Sequence, residues 1–246
     1  MPGIVIFLDL DDTILQTAPK CRPGAPLEPA ATDRAGNVLS FMTRAQSRLL
    51  AHWRSQGTVI PVTGRTDDAL ARVLIEFDSW RITHHGAIVR RPDGRPPGRW
   101  HQEMEPRLIA AQPALREIGE RLRSGAAAGG YRVSAHAVGG QLTYLSAKAD
   151  DDGAALEALR ARLTASGLAP ELALHHNGNN LALTVAGAQK HDAVRLVMAE
   201  LAEAGPIVTI GAGDSLTDLG FMRLCDFALT PKASQIQRET WSRYPP

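Results

Sequence analysis

Residues 4–8, Ile-Val-Ile-Phe-Leu, form a short unbroken apolar run rich in β-branched side chains, and it stops at Asp9. A strand with one wet face would alternate polar and apolar residues. This run does not, so it suits a strand buried on both faces, as in a parallel sheet flanked by helices. Five apolar residues are also far fewer than the roughly 20 that a bilayer-crossing helix needs. Immediately after the run comes Asp9-Leu-Asp11-Asp12-Thr13. Three carboxylates therefore sit at the C-terminal end of a buried strand, where open α/β sheets bind ligands. Clustered carboxylates raise one another's pKa, and chains tolerate them where a cation neutralises them or a proton is to be moved.

The rest of the chain supplies partners for that strand. Residues 16–37, rich in Pro, Gly and Ala, read as a long loop with a turn at 33–36. Thr43 and Gln46 make a capping box. Ala45, Leu49, Leu50 and Trp53 stripe one face of the helix it opens, and Gly57 closes it after Gln56. Residues 58–62 read as a buried strand, 67–77 as a helix, and 80–83 and 87–91 as strands, the last ending in a turn at 92–94. Near residue 187 the pattern resumes, with a helix over 189–204 and strands at 207–210 and 227–230. This alternation predicts a doubly wound, Rossmann-like α/β core.

Between residues 100 and 186 the pattern changes to two helix-then-hairpin units. The first helix ends near Arg123 with Leu115, Ile118 and Leu122 on one face and Pro113 as its first residue or a kink. Residues 131–137 follow with Tyr131, Val133, Ala135 and Ala137 facing one way, and residues 141–147 pair with them across Gly139-Gly140. Leu156, Leu159 and Leu163 stripe a second helix, and 171–176 and 180–185 form a hairpin around 177–179. The expectation is an inserted α+β domain: a four-stranded antiparallel sheet with two helices on one face. The core is then 1–99 plus 187–246 and the insertion 100–186.

Composition narrows the function. Lys plus Arg number 27 against 26 Asp plus Glu, so no global positive field gathers a nucleic acid or an anionic membrane, and any anion recognition must be local. Cys21 and Cys225 match no metal spacing and no secretory leader precedes the first strand, which fits a cytoplasmic setting. Two further strand ends are polar. Gly211-Ala-Gly213-Asp214-Ser215-Leu216-Thr217-Asp218 repeats the strand, turn and acid arrangement, and oxygen donors from two strand ends suit Mg²⁺. Thr63-Gly64-Arg65 offers a hydroxyl and an amide to a phosphoryl oxygen, and Lys190 opens a helix as a charge partner.

Four elements in this order resemble the haloacid dehalogenase superfamily: DxDxT, a Thr after the second strand, Lys before the last core helix, and GDxxxD. The insertion resembles the cap of the Cof-type and sucrose-phosphatase-like branch, as do 62–65 and the His84-His85-Gly86 segment. Asp12, His191 and Thr217 depart from that branch's usual residues, and the loop at 16–37 is longer. The resemblance implies a phosphatase with Asp9 as nucleophile and Asp11 as acid and base. Mg²⁺ would be held by Asp9, Asp214 and the Asp11 carbonyl, with phosphate on Thr63, Gly64 and Lys190 and support from Asp218 and Arg65.

His85 and Asn180 are the candidates for contact with a small phosphorylated metabolite, and Arg132, His136, Lys148, His176 and Asn179 for the cap's substrate face. Read as strand neighbours, His84 and His85 point to opposite faces, as do His175 and His176, so neither pair chelates. A phosphomutase is the alternative reaction, and an idle binding module the alternative class. The intact set of Asp9, Asp11, Thr63, Lys190 and Asp214 argues against the latter.

Overall fold

A computed structural model describes residues 3–149, 153–232 and 234–241. The chain divides into two compact units, one made of Met1–Pro97 with Lys190–Pro246 and the other of Gly98–Gln189. In chain order, the first unit begins with β1 (Gly3–Leu8), β2 (Gln16–Thr17), β3 (Leu27–Thr32), β4 (Val38–Thr43) and α1 (Arg44–Gln56). It continues with β5 (Thr58–Pro61), α2 (Asp67–Leu70), β6 (Arg81–Thr83) and β7 (Ile88–Arg90). The second unit holds α3 (Gly98–Gly129), β8 (Tyr131–Val138), β9 (Gln141–Ala149), α4 (Ala154–Ala165), β10 (Leu172–Asn177) and β11 (Asn180–Val185). The chain then returns to the first unit through α5 (Lys190–Ala202), β12 (Ile207–Ala212), α6 (Leu219–Met222), β13 (Phe227–Leu229) and α7 (Gln235–Trp241).

The core sheet of the first unit has the order β13-β12-β1-β5, and all its pairs are parallel. β1 is central, and Ile6, Phe7 and Leu8 are each 0% exposed, which is why its sequence carries no polar alternation. Leu50 and Trp53 of α1 join Ile6 and Leu8 in the core. The capping box at Thr43 and Gln46 forms as read from sequence. An isolated parallel bridge between Val62 and Ile82 carries the chain from the β5 end toward the β6–β7 hairpin.

Two expectations for this unit are corrected. Residues 16–37 are not a loop: β2, β4 and β3 form a small antiparallel sheet, with the Asp33 carboxylate accepting the Ala35 and Asn37 amides in the turn. Its pairing shifts register after Pro29, and that irregularity hides it from a search for clean alternation. The helix over 67–77 ends at Leu70. Val73 and Ile75 are buried while Leu74 between them is 57% exposed, a period-two pattern, and the Leu74 amide donates to Ala30.

In the second unit the sheet order is β10-β11-β9-β8, antiparallel throughout. A Cβ built on Gly119 of α3 would lie 3.4 Å from Leu145, and Glu157 of α4 approaches His176 at 3.4 Å. Register aligns Leu145 with Leu183 and His176 with Leu181, so both helices cover the same face. His176 is therefore on the helix side, and His175 takes the opposite face in its place. Asn179 belongs to the hairpin tip rather than to a sheet face.

The alternation expected along residues 131–137 breaks at a register shift between His136 and Ala137. On the uncovered face His136 stacks on Tyr144 with centroids 4.1 Å apart and shares a 2.9 Å hydrogen bond with Ser146. Pro113 does not start its helix. It and Pro106 lie inside α3, both exposed, where water can take the freed carbonyls, while Met104, Leu108, Ala111 and Leu115 hold the buried stripe. Among the described residues no helix is long and apolar enough to cross a membrane.

Candidate active site

Three adjacent strand ends build the site. The Asp9 amide donates to Ala212 at 2.9 Å and the Val62 amide to Leu8 at 2.8 Å, so the chain beyond β1 is flanked by the ends of β12 and β5. Asp9 therefore lies between the turn carrying Asp214 on one side and Thr63 on the other. The register that buries β1 thus brings together residues far apart in sequence.

Asp9, Asp214 and Asp218 have carboxylate oxygens within 4.8 Å of one another, and they are 5%, 6% and 0% exposed. Lys190, the first residue of α5, donates to Asp9 Oδ1 and to Asp218 Oδ1, both at 2.7 Å. Asp218 is also held through Oδ2, which accepts the Ser215 amide (3.0 Å) and hydroxyl (2.6 Å). Its evident task is to anchor Lys190 and the turn. Gly213 permits this packing: a Cβ there would come 2.5 Å from Asp218 Cβ. Thr13, to which the sequence reading gave no role, donates to Asp9 Oδ2 at 3.0 Å and lies 3.4 Å from Asp214 Oδ1.

The electrostatics follow from burial. Burial raises the Asp9 carboxyl well above its ordinary range; Lys190 opposes this, and Asp218 and Asp214 add to it. Burial likewise pushes Asp214 up to about 7, helped by the negative charges of Asp218 and Asp12 and opposed by Lys190 and Lys20. For Lys190 burial favours losing the proton, but the charges of Asp218 and Asp9 and their hydrogen bonds outweigh it and leave its pKa raised. The ammonium is thus permanent, with three buried carboxylates to one cation. Fully ionised, that is a formal excess of two negative charges, and oxygen donors packed this closely fit a small divalent cation.

Asp11 is not part of the buried cluster. Its side chain is 52% exposed and is gripped by Arg65 in a two-pronged bridge, Nε to Oδ2 at 2.8 Å and Nη2 to Oδ1 at 2.7 Å. Arg65 is fixed in turn, its Nη1 donating to the Ala69 carbonyl and its amide to Thr63 Oγ1. Thr63 is 1% exposed and, accepting that amide, keeps its own hydrogen to donate.

His84 and His85 do not lie on a strand. They occupy a tight turn at φ 52 and 60, with the His84 amide bonded to Arg65 and the His85 amide to Thr63. A Cβ on Gly64 would come 2.5 Å from the His85 ring, so only glycine lets the imidazole close over this loop. Asn180 belongs to the second unit, on the uncovered face of its sheet, with a buried Oδ1 that accepts no hydrogen bond among the described residues.

Searches against protein-family models and against curated proteins find no match. Solved structures do match. The sucrose-phosphatase of Synechocystis sp. PCC6803, solved with sucrose and phosphate, aligns over 99% of this chain and 89% of its own at TM-score 0.61 and 15% identity. A trehalose-6-phosphate phosphatase related protein aligns over 92% and 84% at TM-score 0.57 and 21% identity. A haloacid dehalogenase-like hydrolase from Bacteroides thetaiotaomicron aligns over 98% and 99% at TM-score 0.53 and 11% identity. Identities this low establish architecture, and the chain carries the haloacid dehalogenase-like fold in the form it takes in sucrose-phosphatase.

Proposed function

We propose that the chain is a Mg²⁺-dependent phosphomonoester hydrolase that works through an aspartyl-phosphate on Asp9 and acts on a small organic phosphate. The observation that carries this reading is the buried Asp9–Lys190–Asp218 bridge beside Asp214, a nucleophile, a fixed cation and an acidic pocket at one sheet end. A sugar phosphate is the favoured substrate class, supported by the likeness to sucrose-phosphatase and a trehalose-6-phosphate phosphatase related protein. Residues 1–99 and 187–246 form the catalytic core, and residues 100–186 select the organic group.

Asp9, Asp214 and the Asp11 carbonyl would hold the cation. When bound, Mg²⁺ offsets the repulsion between Asp9 and the phosphate dianion and stabilises charge on the transferring group. Lys190, the Thr63 hydroxyl and the Gly64 amide bind phosphoryl oxygens. An Asp9 oxygen attacks phosphorus as the ester P–O bond breaks, and Asp11 gives its proton to the leaving oxygen. Asp11 then takes a proton from water, whose oxygen attacks phosphorus, and the P–O bond to Asp9 breaks to release phosphate. To do this, Asp11 has to leave the fork of Arg65.

Release of inorganic phosphate from a panel of phosphorylated metabolites, with Mg²⁺ and with EDTA, tests the reading. Turnover of at least one sugar phosphate that stops in EDTA is expected. Full turnover in EDTA contradicts it.

The acidic pocket also sets a pH dependence. Without metal, Asp214 keeps its proton up to about pH 7 in the folded chain but only to its ordinary 3.8 when unfolded. The folded state then binds more protons across that window, so this carboxyl's contribution to stability is full below about 4 and is lost as pH rises through about 7. Mg²⁺ needs the ionised form, so the rise in Tm on adding it should be larger at pH 8 than at pH 5. Equal shifts at both pH values would show that Asp214 is not a ligand.

A further inference from the structure

The two carboxylates of the first motif outside the buried cluster are each matched to a cation, but by different parts of the fold. Asp11 has Arg65, from the neighbouring strand end. Asp12 has Lys20, delivered by the small sheet of β2, β3 and β4.

The delivery is built. The tight turn Ala18–Lys20 with Pro19 follows β2, and β2 pairs with β4 through Gln16 and Phe41. The Gln46 side chain ties this sheet to the motif itself, donating to Gln16 Oε1 at 2.8 Å and to the Thr13 carbonyl at 3.3 Å. Asp12 is held at φ 62, its amide donating to Leu15 at 2.7 Å, and its side chain remains 32% exposed. A carboxylate fixed at the rim of an acidic pocket repels any phosphate dianion that enters.

Resting on the hydrolase reading, we propose that Lys20 is a positioning residue whose task is to neutralise Asp12 at the rim of the site, so that an anionic ester can reach the metal-binding carboxylates. Asp12 stands next in the chain to Thr13, whose hydroxyl reaches both Asp9 Oδ2 at 3.0 Å and Asp214 Oδ1 at 3.4 Å, so the charge of the Lys20–Asp12 pair lies beside the pocket. The pair is exposed enough for salt to screen it. Lys20 acts through Asp12, and removing one charge has opposite consequences for the two ligands. An unshielded Asp12 repels phosphate and attracts a divalent cation. A general loss of structure would weaken both.

The test uses the full chain as wild type, Lys20→Ala, Asp12→Asn and the double variant; asparagine tolerates the left-handed backbone of Asp12. Calorimetry measures the Kd of Mg²⁺ alone and of inorganic phosphate with saturating Mg²⁺, at low salt and at high salt. In Lys20→Ala the phosphate Kd should rise roughly five- to tenfold at low salt and the Mg²⁺ Kd should fall by a similar factor, both differences shrinking at high salt. The double variant should return both constants to within about twofold of wild type. Constants unchanged in Lys20→Ala, constants that move in the same direction, or a double variant no better than the single would overturn the proposal. Should the wild type bind no phosphate, the hydrolase reading fails, and the Mg²⁺ constants still decide on the Lys20–Asp12 pair.

Discussion

Asp9→Asn should abolish phosphate release from every ester, natural or activated, by at least about 10⁴-fold, the scale seen when a covalent nucleophile is removed. The expectation follows from position. Asp9 is the one carboxylate of its motif that is buried and held from two sides, by Lys190 on Oδ1 and Thr13 on Oδ2. An amide keeps the shape but lacks the charge that attacks phosphorus. Steady-state release from p-nitrophenyl phosphate measures the loss. Turnover within about tenfold of wild type would remove Asp9 from the chemistry.

Asp214→Ala should cost about 10³-fold or more at ordinary Mg²⁺ concentrations, because it removes one of the carboxylates that would hold the cation, while Asp218 stays tied to Lys190 and Ser215. The variant should also fail to gain stability from Mg²⁺ in a thermal melt, a readout independent of activity. If Mg²⁺ still raises its Tm as it does for wild type, the cation binds elsewhere. Asp218→Asn should behave differently, since it loosens Lys190 without removing a ligand, so its melting curve should still respond to Mg²⁺.

The parts of the site that were legible in the sequence are those fixed by strand ends. A buried β-branched run followed by acids locates Asp9 and Asp214 at the C-terminal edge of a parallel sheet, and pairing of β1 with β12 and β5 does the rest. Side-chain pairings were not legible. Nothing in the spacing shows that Asp11 meets Arg65, 54 residues away, or that Thr13 turns inward to Asp9, because these depend on rotamers and loop paths. The segment after Leu70 illustrates a different limit. Val73, Leu74, Ile75 and Phe77 are apolar enough to satisfy a helical and an extended pattern alike, and the bridge from Val73 to Ala31 decides between them. That contact belongs to the small sheet whose alternation is broken by the register shift after Pro29, so the sequence pattern shows neither β3 nor the segment that packs on it.

The two aspartates of the first motif allow the most direct test of the central claim, a covalent phosphoryl group on Asp9. Asp11→Asn keeps the nucleophile but loses both the acid of the first step and the base of the second. With p-nitrophenyl phosphate the leaving group departs unaided, so the variant should release a burst of about one equivalent of nitrophenol and then stall. Rapid acid quench and intact mass should show the addition of one phosphoryl group, and peptide mapping should place it on Asp9. A phosphoryl group on another residue would contradict the account, as would steady turnover by this variant with no protein-bound phosphate.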